Sequence, residues 1–259
     1  MEVPFLTIIT VNYNDATGLK KTITSVVSQS FTNFEYIIID GGSNDDSITV
    51  IEEFSDTLTY WVSEKDNGVF NAMNKGIKKA RGTYIQFLNS GDVFTSPTAL
   101  ENFIKHPNFE GDIIYGDYKF EDGEKEYPDD LYPAYFIKTS LPHQSTLFKK
   151  TVFDAIGLYN EDYVIASDRA FYIKCYLSNQ FIFKHTPYFL VLFDKGGISN
   201  DPAFREKKKT EDETIFKQLF GEKYQEYKDQ IALEKRINRK KRNSLRGILK
   251  RVLNKIKLL

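Results

Sequence analysis

The sequence has only one cysteine, Cys175, in 259 residues. A lone cysteine cannot form an intrachain disulfide, which is typical of proteins from a reducing compartment. No apolar run reaches the roughly 18 residues that span a bilayer, and residues 1–5 lack the basic segment and apolar core of a signal peptide. The sequence therefore predicts a cytoplasmic protein without a membrane-crossing segment, in which Cys175 is a buried core thiol.

Acidic residues are absent from the last 25 residues of the sequence. The formal net charge is only −1, but residues 235–259 contain eleven Lys and Arg and no acid. The other 234 residues hold 24 basic and 36 acidic side chains, a net charge of −12. A basic segment attached to an acidic body predicts that the segment has an acidic partner.

The basic segment also has the pattern of an amphipathic helix. Its apolar residues recur at helical spacing, with basic residues on the other faces: Leu245, Ile248, Leu249, Val252, Leu253 and Ile256. Such a helix can lie in an anionic membrane interface, where each Lys or Arg contributes about 1 kcal/mol. We expect residues 243–259 to hold the protein peripherally at the inner face of the cell membrane. The alternative is packing on its own domain or on a second subunit in a homo-oligomer. Nucleic acid is not expected as a partner, because the body is acidic and has no recognition motif.

The first hundred residues alternate apolar runs with amphipathic segments. The runs Phe5 to Val11, Phe34 to Ile39 and Leu58 to Val62 are typical of buried strands, and residues after them recur at helical spacing. A fourth strand, from Tyr84, is expected to deliver Asp92 to the edge of the sheet. Repeated units of this kind predict an α/β fold with a mostly parallel central sheet flanked by helices.

The second half of the sequence is less regular. Its expected elements are a strand, a hairpin turn, a loop over the site, a helix and an extended stretch: Asp112 to Tyr118, Glu121 to Gly123, Pro128 to Pro142, Ser167 to Leu177 and Phe181 to Phe193. The chain is strongly charged and helical in pattern from Asp201 onward. We predict a domain over residues 1–200, with halves at 1–110 and 111–200, followed by a helical extension over residues 201–259.

Polar, turn-forming residues follow three of the buried strands: Asn12-Tyr13-Asn14, Asp40-Gly41-Gly42-Ser43 and Asn89-Ser90-Gly91-Asp92. Taken singly, each is equally an ordinary strand-to-helix turn. Three such ends at one edge of a sheet predict a ligand crevice. There Tyr13 offers a flat face for a base, and Asp40 can accept the imide proton of uracil. Asp92 can hold a divalent cation against a diphosphate.

A further polar segment surrounds the third predicted helix. Glu64 to Gly68 precede this helix, and Lys75 lies within it. Gly68 permits a close backbone turn, and Lys75 is long enough to reach a phosphate or a carboxylate. The alternative is a capped helix with a solvated lysine.

Together these segments resemble the inverting family 2 glycosyltransferases, most closely the branch that builds bacterial capsule, O-antigen and exopolysaccharide units. Four motifs over residues 5 to about 195 carry the resemblance: residues 8–14, 37–43, 63–76 and 87–92. The resemblance implies a GT-A fold, a nucleotide-sugar donor that we expect to carry UDP, and a divalent cation, Mn²⁺ or Mg²⁺. It also implies a saccharide acceptor, which we expect to be lipid-linked.

The resemblance assigns roles to individual residues. Val11, Tyr13 and Asp40 match positions that bind the nucleotide base, and Asp92 matches the last carboxylate of the family's Asp-x-Asp motif, which contacts the metal. Asn89 and Gly91 replace acids found in many relatives, so metal binding without the diphosphate is expected to be weak. The other residues expected to bind the nucleotide-sugar are Asp66, Lys75, Asn89, Ser90, Gly91 and His143.

Asp168 lies in a segment that matches the family's later motif, where an acid is the catalytic base. The acceptor hydroxyl must lose its proton as it attacks the anomeric carbon from the face opposite the leaving diphosphate, and a nearby carboxylate can take that proton. The alternative is that Asp168 is a helix N-terminal acid, with Glu161 and Asp162 as neighbouring candidates. For His143 the resemblance also allows a place in the metal site, and a plain loop histidine is the alternative.

Two other functions stay open at this point. A GT-A-like nucleotidyltransferase would need a Gly-rich basic loop after the first strand, where this chain has Asn12-Tyr13-Asn14-Asp15. A catalytically inactive nucleotide-binding paralogue is suggested by the reduced acidic motif around Asp92.

Overall fold

The computed structural model describes residues 3–197 and 201–256, with side chains as far as residue 240. Its strands are β1 Leu6–Asn12, β2 Phe34–Asp40, β3 Tyr60–Ser63, β4 Tyr84–Phe87, β5 Val93–Phe94, β6 Ile113–Phe120, β7 Gly123–Lys125, β8 Thr146–Lys149 and β9 Phe183–Leu192. Its α-helices are α1 Ala16–Val27, α2 Ser47–Glu53, α3 Val69–Lys79, α4 Ala99–Ile104, α5 Pro133–Lys138, α6 Lys150–Ile156, α7 Ser167–Ser178, α8 Arg205–Phe220 and α9 Lys223–Ile256.

The strands of the described residues form one nine-stranded sheet, in the order β3-β2-β1-β4-β8-β6-β9-β5 with β7 paired to β6. β1 to β4 are mutually parallel, as predicted for the first half of the chain. β8 runs antiparallel to both β4 and β6, while β9 is parallel to β6. The ends of β1, β2 and β3 meet in register, with Asn12 beside Asp40 and Asp40 beside Ser63.

Helices cover both faces of the sheet, because alternate residues of a buried strand point to opposite sides. Ile8 of β1 belongs to the cluster that contains Leu19 of α1. Its neighbour Ile9 belongs to the opposite cluster, with Met73 of α3. A methyl group built on Gly76 would lie 2.6 Å from Cγ2 of Ile9, so only a glycine lets α3 pack this close to β1.

Two details of the predicted elements need correction. The strand expected to run to Asp92 ends at Phe87, and Asp92 lies in the turn before β5. The expected loop from Pro128 to Pro142 contains α5, which begins at Pro133 because proline suits the first helical position. The predicted hairpin is confirmed, with Phe120 paired to Gly123, and Cys175 is buried as expected.

The charged extension begins with α8, which packs on the body of the protein. Ile215, Phe216 and Phe220 share a hydrophobic cluster with Phe171 of α7. The predicted amphipathic segment 243–259 falls within α9 as far as Ile256, but its side chains and residues 257–259 lie outside the described residues. None of the described helices is long and apolar enough to cross a bilayer.

Candidate active site

Asp40 is the centre of the hydrogen-bond network that joins the ends of β1, β2 and β3. Its Oδ1 accepts from Nδ2 of Asn12 at 2.7 Å and from Oγ of Ser43 at 2.6 Å. Its Oδ2 accepts from Oγ of Ser63 at 2.6 Å and from the N–H groups of Gly42 and Ser43. Burial acts to raise the pKa of Asp40, but the hydrogen bonds from Ser43, Ser63 and Asn12 outweigh it and lower the pKa.

The hydrogen bonds of Asp40 limit its predicted contact with a base. The side chain is fully buried, and both of its oxygens already accept from protein donors. In the structure the carboxylate therefore organises the turn, and a contact with the imide of uracil would have to displace one of these donors. That contact stays a prediction.

Tyr13 and Asp66 both lie close to Gly41. A methyl group built on Gly41 would be 2.6 Å from Oδ2 of Asp66 and 3.3 Å from Cδ2 of Tyr13. The Tyr13 side chain is 65% exposed, so its ring is available to a ligand. Oδ1 of Asp66 accepts from the N–H of Gly68 at 2.9 Å. The structure thus brings together two of the predicted nucleotide-binding residues.

Val11 contributes no side chain to this surface. It is buried in the hydrophobic cluster above β1 and β2, and its carbonyl accepts from the N–H of Ser90 at 3.2 Å. The predicted role of Val11 in base binding is thus limited to its backbone.

The turn between β4 and β5 is fixed to β1 and to α1. Oγ of Ser90 donates to Oδ1 of Asn12 at 2.8 Å, and the N–H of Gly91 donates to Oγ1 of Thr22 at 3.0 Å. Oδ1 of Asn89 is buried and has no hydrogen-bond partner among the described residues. The third polar strand end therefore joins the other two, as the sequence predicted.

Asp92 is nearly fully buried in this turn, beside a second carboxylate. Its Oδ1 accepts from the N–H of Asp194 at 2.9 Å. A methyl group built on Gly91 would lie 2.5 Å from Oδ2 of Asp194, so the two acids face the same turn. Burial raises the pKa of Asp92 to about 8, and the charge of Asp194 adds to the rise.

Asp194 was not among the predicted site residues. The signal was present in the sequence, because Asp194 and Gly196 follow an extended stretch as Asp40 and Gly42 follow β2. The N–H of Gly196 donates to Oδ1 of Asp194 at 2.8 Å and fixes the carboxylate in its turn.

The residues of this turn fit a divalent cation that is shared with a diphosphate. The described residues contain no group of three or more His, Cys, Asp and Glu arranged to hold a metal ion. Mg²⁺ commonly binds through only one or two carboxylates together with phosphate oxygens. Asp92 and Asp194 supply two such carboxylates, and the orphaned Oδ1 of Asn89 is a further oxygen in the same turn.

His143 lies in the core beneath the site. Its ring stacks on Phe87 with centroids 4.8 Å apart, and its Nε2 lies 2.9 Å from the hydroxyl of Tyr159. Burial lowers the pKa of His143 to about 3, so the ring is neutral at physiological pH. The structure thus gives His143 a buried hydrogen bond to Tyr159, and its expected contact with the nucleotide-sugar stays a prediction.

The helix α3 contributes its polar residues to the same edge. Nζ of Lys75 forms an ion pair with Glu64 at 2.8 Å, and its expected contact with the nucleotide-sugar stays a prediction. The buried Asn74, which was not predicted, donates to Oε1 of Glu161 at 2.7 Å and to the carbonyl of Tyr159 at 2.9 Å. Its Oδ1 accepts from the N–H of Tyr159 at 3.0 Å, so α3 holds the segment that leads to α7.

Asp168 lies in the first turn of α7 and is half-buried. Burial raises its pKa, while the charge and N–H of Arg169 act in the opposite direction. Glu161 is different, because hydrogen bonds from Asn74 and Asn71 lower its pKa and occupy its oxygens. Asp168 therefore has a higher proton affinity than Glu161, and its role as the base stays a prediction.

The chain is similar in sequence to curated glycosyltransferases. An uncharacterised glycosyltransferase of Mycobacterium tuberculosis is 31% identical over 182 residues, which cover 67% of this chain and 70% of that protein. A PGL/p-HBAD biosynthesis glycosyltransferase of Mycobacterium bovis is 28% identical over 209 residues, which cover 77% of this chain and 81% of that protein.

Solved structures confirm the predicted GT-A fold. A crystal structure of S. aureus TarS in complex with UDP matches with a TM-score of 0.60 at 19% identity, over 73% of this chain and 60% of that chain. The mannosyltransferase PcManGT of Pyrobaculum calidifontis, in complex with GDP-Man and Mn²⁺, matches with a TM-score of 0.63 at 15% identity, over 85% of this chain and 65% of that chain. The chain spans less than two thirds of each of these solved chains. The model of glycosyl transferase family 2 matches residues 7–163, more than half of the sequence, and the chain therefore belongs to that family.

Proposed function

We propose that this protein is an inverting glycosyltransferase. It moves a sugar from a nucleotide diphosphate, for which we expect UDP, to a hydroxyl of a saccharide acceptor. The observation that carries the proposal is the meeting of three polar strand ends at one edge, with Asp92 and Asp194 beside them. Membership of the family and the nucleotide complexes of the two similar structures support a nucleotide-sugar donor.

The nucleotide end of the donor would lie against Tyr13 and Asp66. The exposed Tyr13 ring offers a stacking face, and the carboxylate of Asp66 lies close to the same glycine, Gly41. Lys75 and Glu64 lie at the rim of the same edge as an ion pair, from which the ammonium group can turn toward a phosphate.

The diphosphate would lie at the turn between β4 and β5. Asp92 and Asp194 would hold a Mn²⁺ or Mg²⁺ ion, which when bound neutralises charge on the leaving diphosphate. Without such a cation the burial of Asp92 favours its protonated form, so a positive charge supplied together with the donor would complete the site.

Asp168 would be the catalytic base. Its carboxylate would accept the proton of the acceptor hydroxyl while the hydroxyl oxygen attacks the anomeric carbon and the bond to the diphosphate breaks on the opposite face. Attack from that face inverts the anomeric configuration. The raised pKa of Asp168 makes it a better proton acceptor than an ordinary aspartate.

The acceptor would be lipid-linked, in the synthesis of a bacterial surface saccharide such as capsule or O-antigen. The basic C-terminal segment supports a cytoplasmic enzyme held at the inner membrane face, because eleven Lys and Arg accumulate there without an acid. Removing residues 243–259 tests this part of the proposal. Loss of sedimentation with phosphatidylglycerol–phosphatidylcholine vesicles, but not of UDP binding, is expected, whereas equal sedimentation of both proteins would favour a packing or subunit-contact role for the helix.

The proposal is tested by calorimetric titration of UDP and GDP with and without Mn²⁺, followed by a panel of nucleotide sugars in a turnover assay. Cation-dependent binding of UDP with release of UDP from one donor supports it. Binding without turnover of any donor would favour an inactive paralogue. Release of pyrophosphate from a nucleoside triphosphate would favour a nucleotidyltransferase.

A further inference from the structure

Glu211 on α8 is buried and accepts three backbone hydrogen bonds from the segment that leads into α7. Its Oε1 accepts from the N–H of Val164 at 2.8 Å, and its Oε2 accepts from the N–H groups of Ile165 and Ala166 at 2.9 and 3.0 Å. The residue is only 4% exposed. Ala166 is the N-cap of α7, two residues before Asp168.

Two further contacts join α8 to the same segment. Asp212, the next residue on α8, forms an ion pair of 2.7 Å with Arg169, which directly follows Asp168. Nearly two turns later, Oε1 of Gln218 accepts from the hydroxyl of Tyr163 at 3.0 Å. The segment from Tyr163 to Arg169 is therefore held from one side by a single helix of the C-terminal extension.

A buried carboxylate is a costly group unless its oxygens are hydrogen-bonded. The three N–H groups that satisfy Glu211 belong to residues outside any strand, so no sheet partner fixes this backbone. Glu211 supplies the missing acceptor, and the position of the first turn of α7 depends on it. A displacement of about 1 Å at a reacting group can reduce turnover by roughly 10²-fold.

We propose that Glu211 is a positioning residue that fixes the backbone of residues 164–166 and so directs the carboxylate of Asp168 toward the acceptor. The inference rests on the proposed role of Asp168 as the base. It makes α8, which lies beyond the segment matched by the family model, part of the catalytic apparatus of this chain.

The test compares Glu211→Gln with Glu213→Gln in the full-length protein. Glutamine keeps the size of the side chain but replaces one acceptor oxygen with a donor NH₂ group, which opposes the backbone N–H groups. Glu213 is the matched control, because it lies on the same helix and bonds Tyr224 within the extension. We expect Glu211→Gln to reduce turnover by about 10–100-fold and to leave the affinity for UDP unchanged, whereas Glu213→Gln changes neither.

The pKa of Asp168 distinguishes a positioning role of Glu211 from a general loss of folded protein. Carboxyl ¹³C NMR measures this pKa directly, and the Asp168 signal is assigned by its absence in Asp168→Asn. The charged and titratable groups that face Asp168 come from α7, from α8 and from the segment before α7: Arg169, Tyr172, Lys208, Asp212 and Tyr159. Loosening the segment admits water, so the apparent pKa of Asp168 is expected to fall toward its ordinary value in Glu211→Gln and to stay raised in Glu213→Gln.

The outcomes distinguish this inference from the proposed function. Identical Asp168 titration and turnover in Glu211→Gln and the wild type would overturn the positioning role, while an inactive Asp168→Asn would still support Asp168 as the base. Full activity of Asp168→Asn would overturn the role of the base itself, and the positioning role with it.

Hydrogen exchange of backbone amides in the wild-type protein provides a second test that needs no variant. The amides of Val164, Ile165 and Ala166 are expected to be protected, and exchange at the rate of an unprotected amide would contradict the inference.

Discussion

The backbone N–H of Asp194 donates to Oδ1 of Asp92 across 2.9 Å, although 102 residues separate the two in sequence. The contact adjoins the antiparallel pairing of β5 with β9, in which Val93 lies opposite Leu192. Two short turns from distant parts of the chain are thereby locked together, with one buried and one exposed carboxylate on the same side.

Substituting either of these acids should weaken the cation dependence of nucleotide binding. Asp92→Ala and Asp194→Ala each remove one oxygen ligand, so the enhancement of UDP affinity by Mn²⁺ is expected to fall roughly tenfold or more. Calorimetric titration of UDP with and without Mn²⁺ measures the enhancement. The exposed Asp154, paired only with Lys150, provides the control Asp154→Ala, and an unchanged enhancement in Asp92→Ala would refute the assignment.

Replacing Asp168 should affect chemistry more than binding. Asp168→Asn keeps the size of the side chain but cannot accept the proton, so turnover is expected to fall by about 10²–10⁴-fold. The affinity for UDP should be retained, because the base contacts the acceptor. Asp162→Asn is the matched control, and near-normal turnover in Asp168→Asn together with a loss in Asp162→Asn would transfer the role to Asp162.

The exposed ring of Tyr13 should contribute to nucleotide affinity by stacking. Tyr13→Ala is expected to weaken UDP binding by about 1–3 kcal/mol, the usual contribution of a base stacked on an aromatic side chain. Tyr13→Phe keeps the ring and should bind as the wild type does. If both variants bind UDP equally well, the base does not stack on this residue.

Asn74 should contribute to stability more than its neighbour Asn71. Asn74→Ala removes three hydrogen bonds to Tyr159 and Glu161 and leaves buried backbone groups unpaired, so a loss of about 2–4 kcal/mol in the free energy of unfolding is expected. Asn71→Ala removes an exposed bond to Glu161 and a long bond of 3.4 Å from the N–H of Asn67, and should cost less than about 1 kcal/mol. Urea denaturation compares the two, and equal losses would contradict the assigned network.

His185 should make the stability of the protein depend on pH near neutrality. Its ring nitrogens lie 2.7 Å from Asp129 and 3.0 Å from Asp117, and its ring stacks on Tyr115. Burial acts to lower the pKa of His185, but the two carboxylates outweigh it and raise the pKa. A raised histidine pKa stabilises the fold fully below the unfolded value of about 6.5, and this contribution is lost as the pH rises through the folded pKa.

The pH dependence can be measured by denaturation at intervals from pH 6 upward. The stability of the wild type is expected to fall as the pH rises through the folded pKa of His185, and the fall should be smaller in His185→Gln. His106→Gln is the control, because His106 bonds only a nearby backbone N–H among the contacts seen. A wild type whose stability does not change with pH would contradict the ion pairs of His185.

The sequence predicted the half of the fold that depends on local pattern. Apolar runs identified β1 and β2, and the polar residues after them identified the edge at which Asn12, Asp40 and Ser90 meet. The resemblance to a family identified Asp168 as a candidate but not Glu211, because the contact of Glu211 joins a helix to backbone N–H groups. A hydrogen bond to a backbone N–H leaves no pattern in the sequence, because the N–H of almost any residue can donate it.

The same limit explains the expectations that changed. For His143 the sequence left open a contact with the nucleotide-sugar or metal and a plain loop histidine, because it shows only the neighbours Pro142 and Gln144, whereas Phe87 and Tyr159 from other elements set its environment. Asp194 carried the turn signal of a strand end, but the sequence did not show that β9 ends beside β5. In both cases the missing information was the arrangement of strands in the second half of the sheet.

The pairing of β5 with β9 also determines when the pair of acids, Asp92 and Asp194, can form during synthesis of the chain. Asp92 leaves the ribosome about a hundred residues before its partner Asp194, and Glu211 follows later still. Contacts so distant in sequence form slowly, because a long loop must close before any contact compensates for its entropy. The parallel strands β1 to β4 are complete long before this closure. A nascent chain stalled before residue 194 should therefore contain a sheet with three joined strand ends, but not the pair of acids beside them.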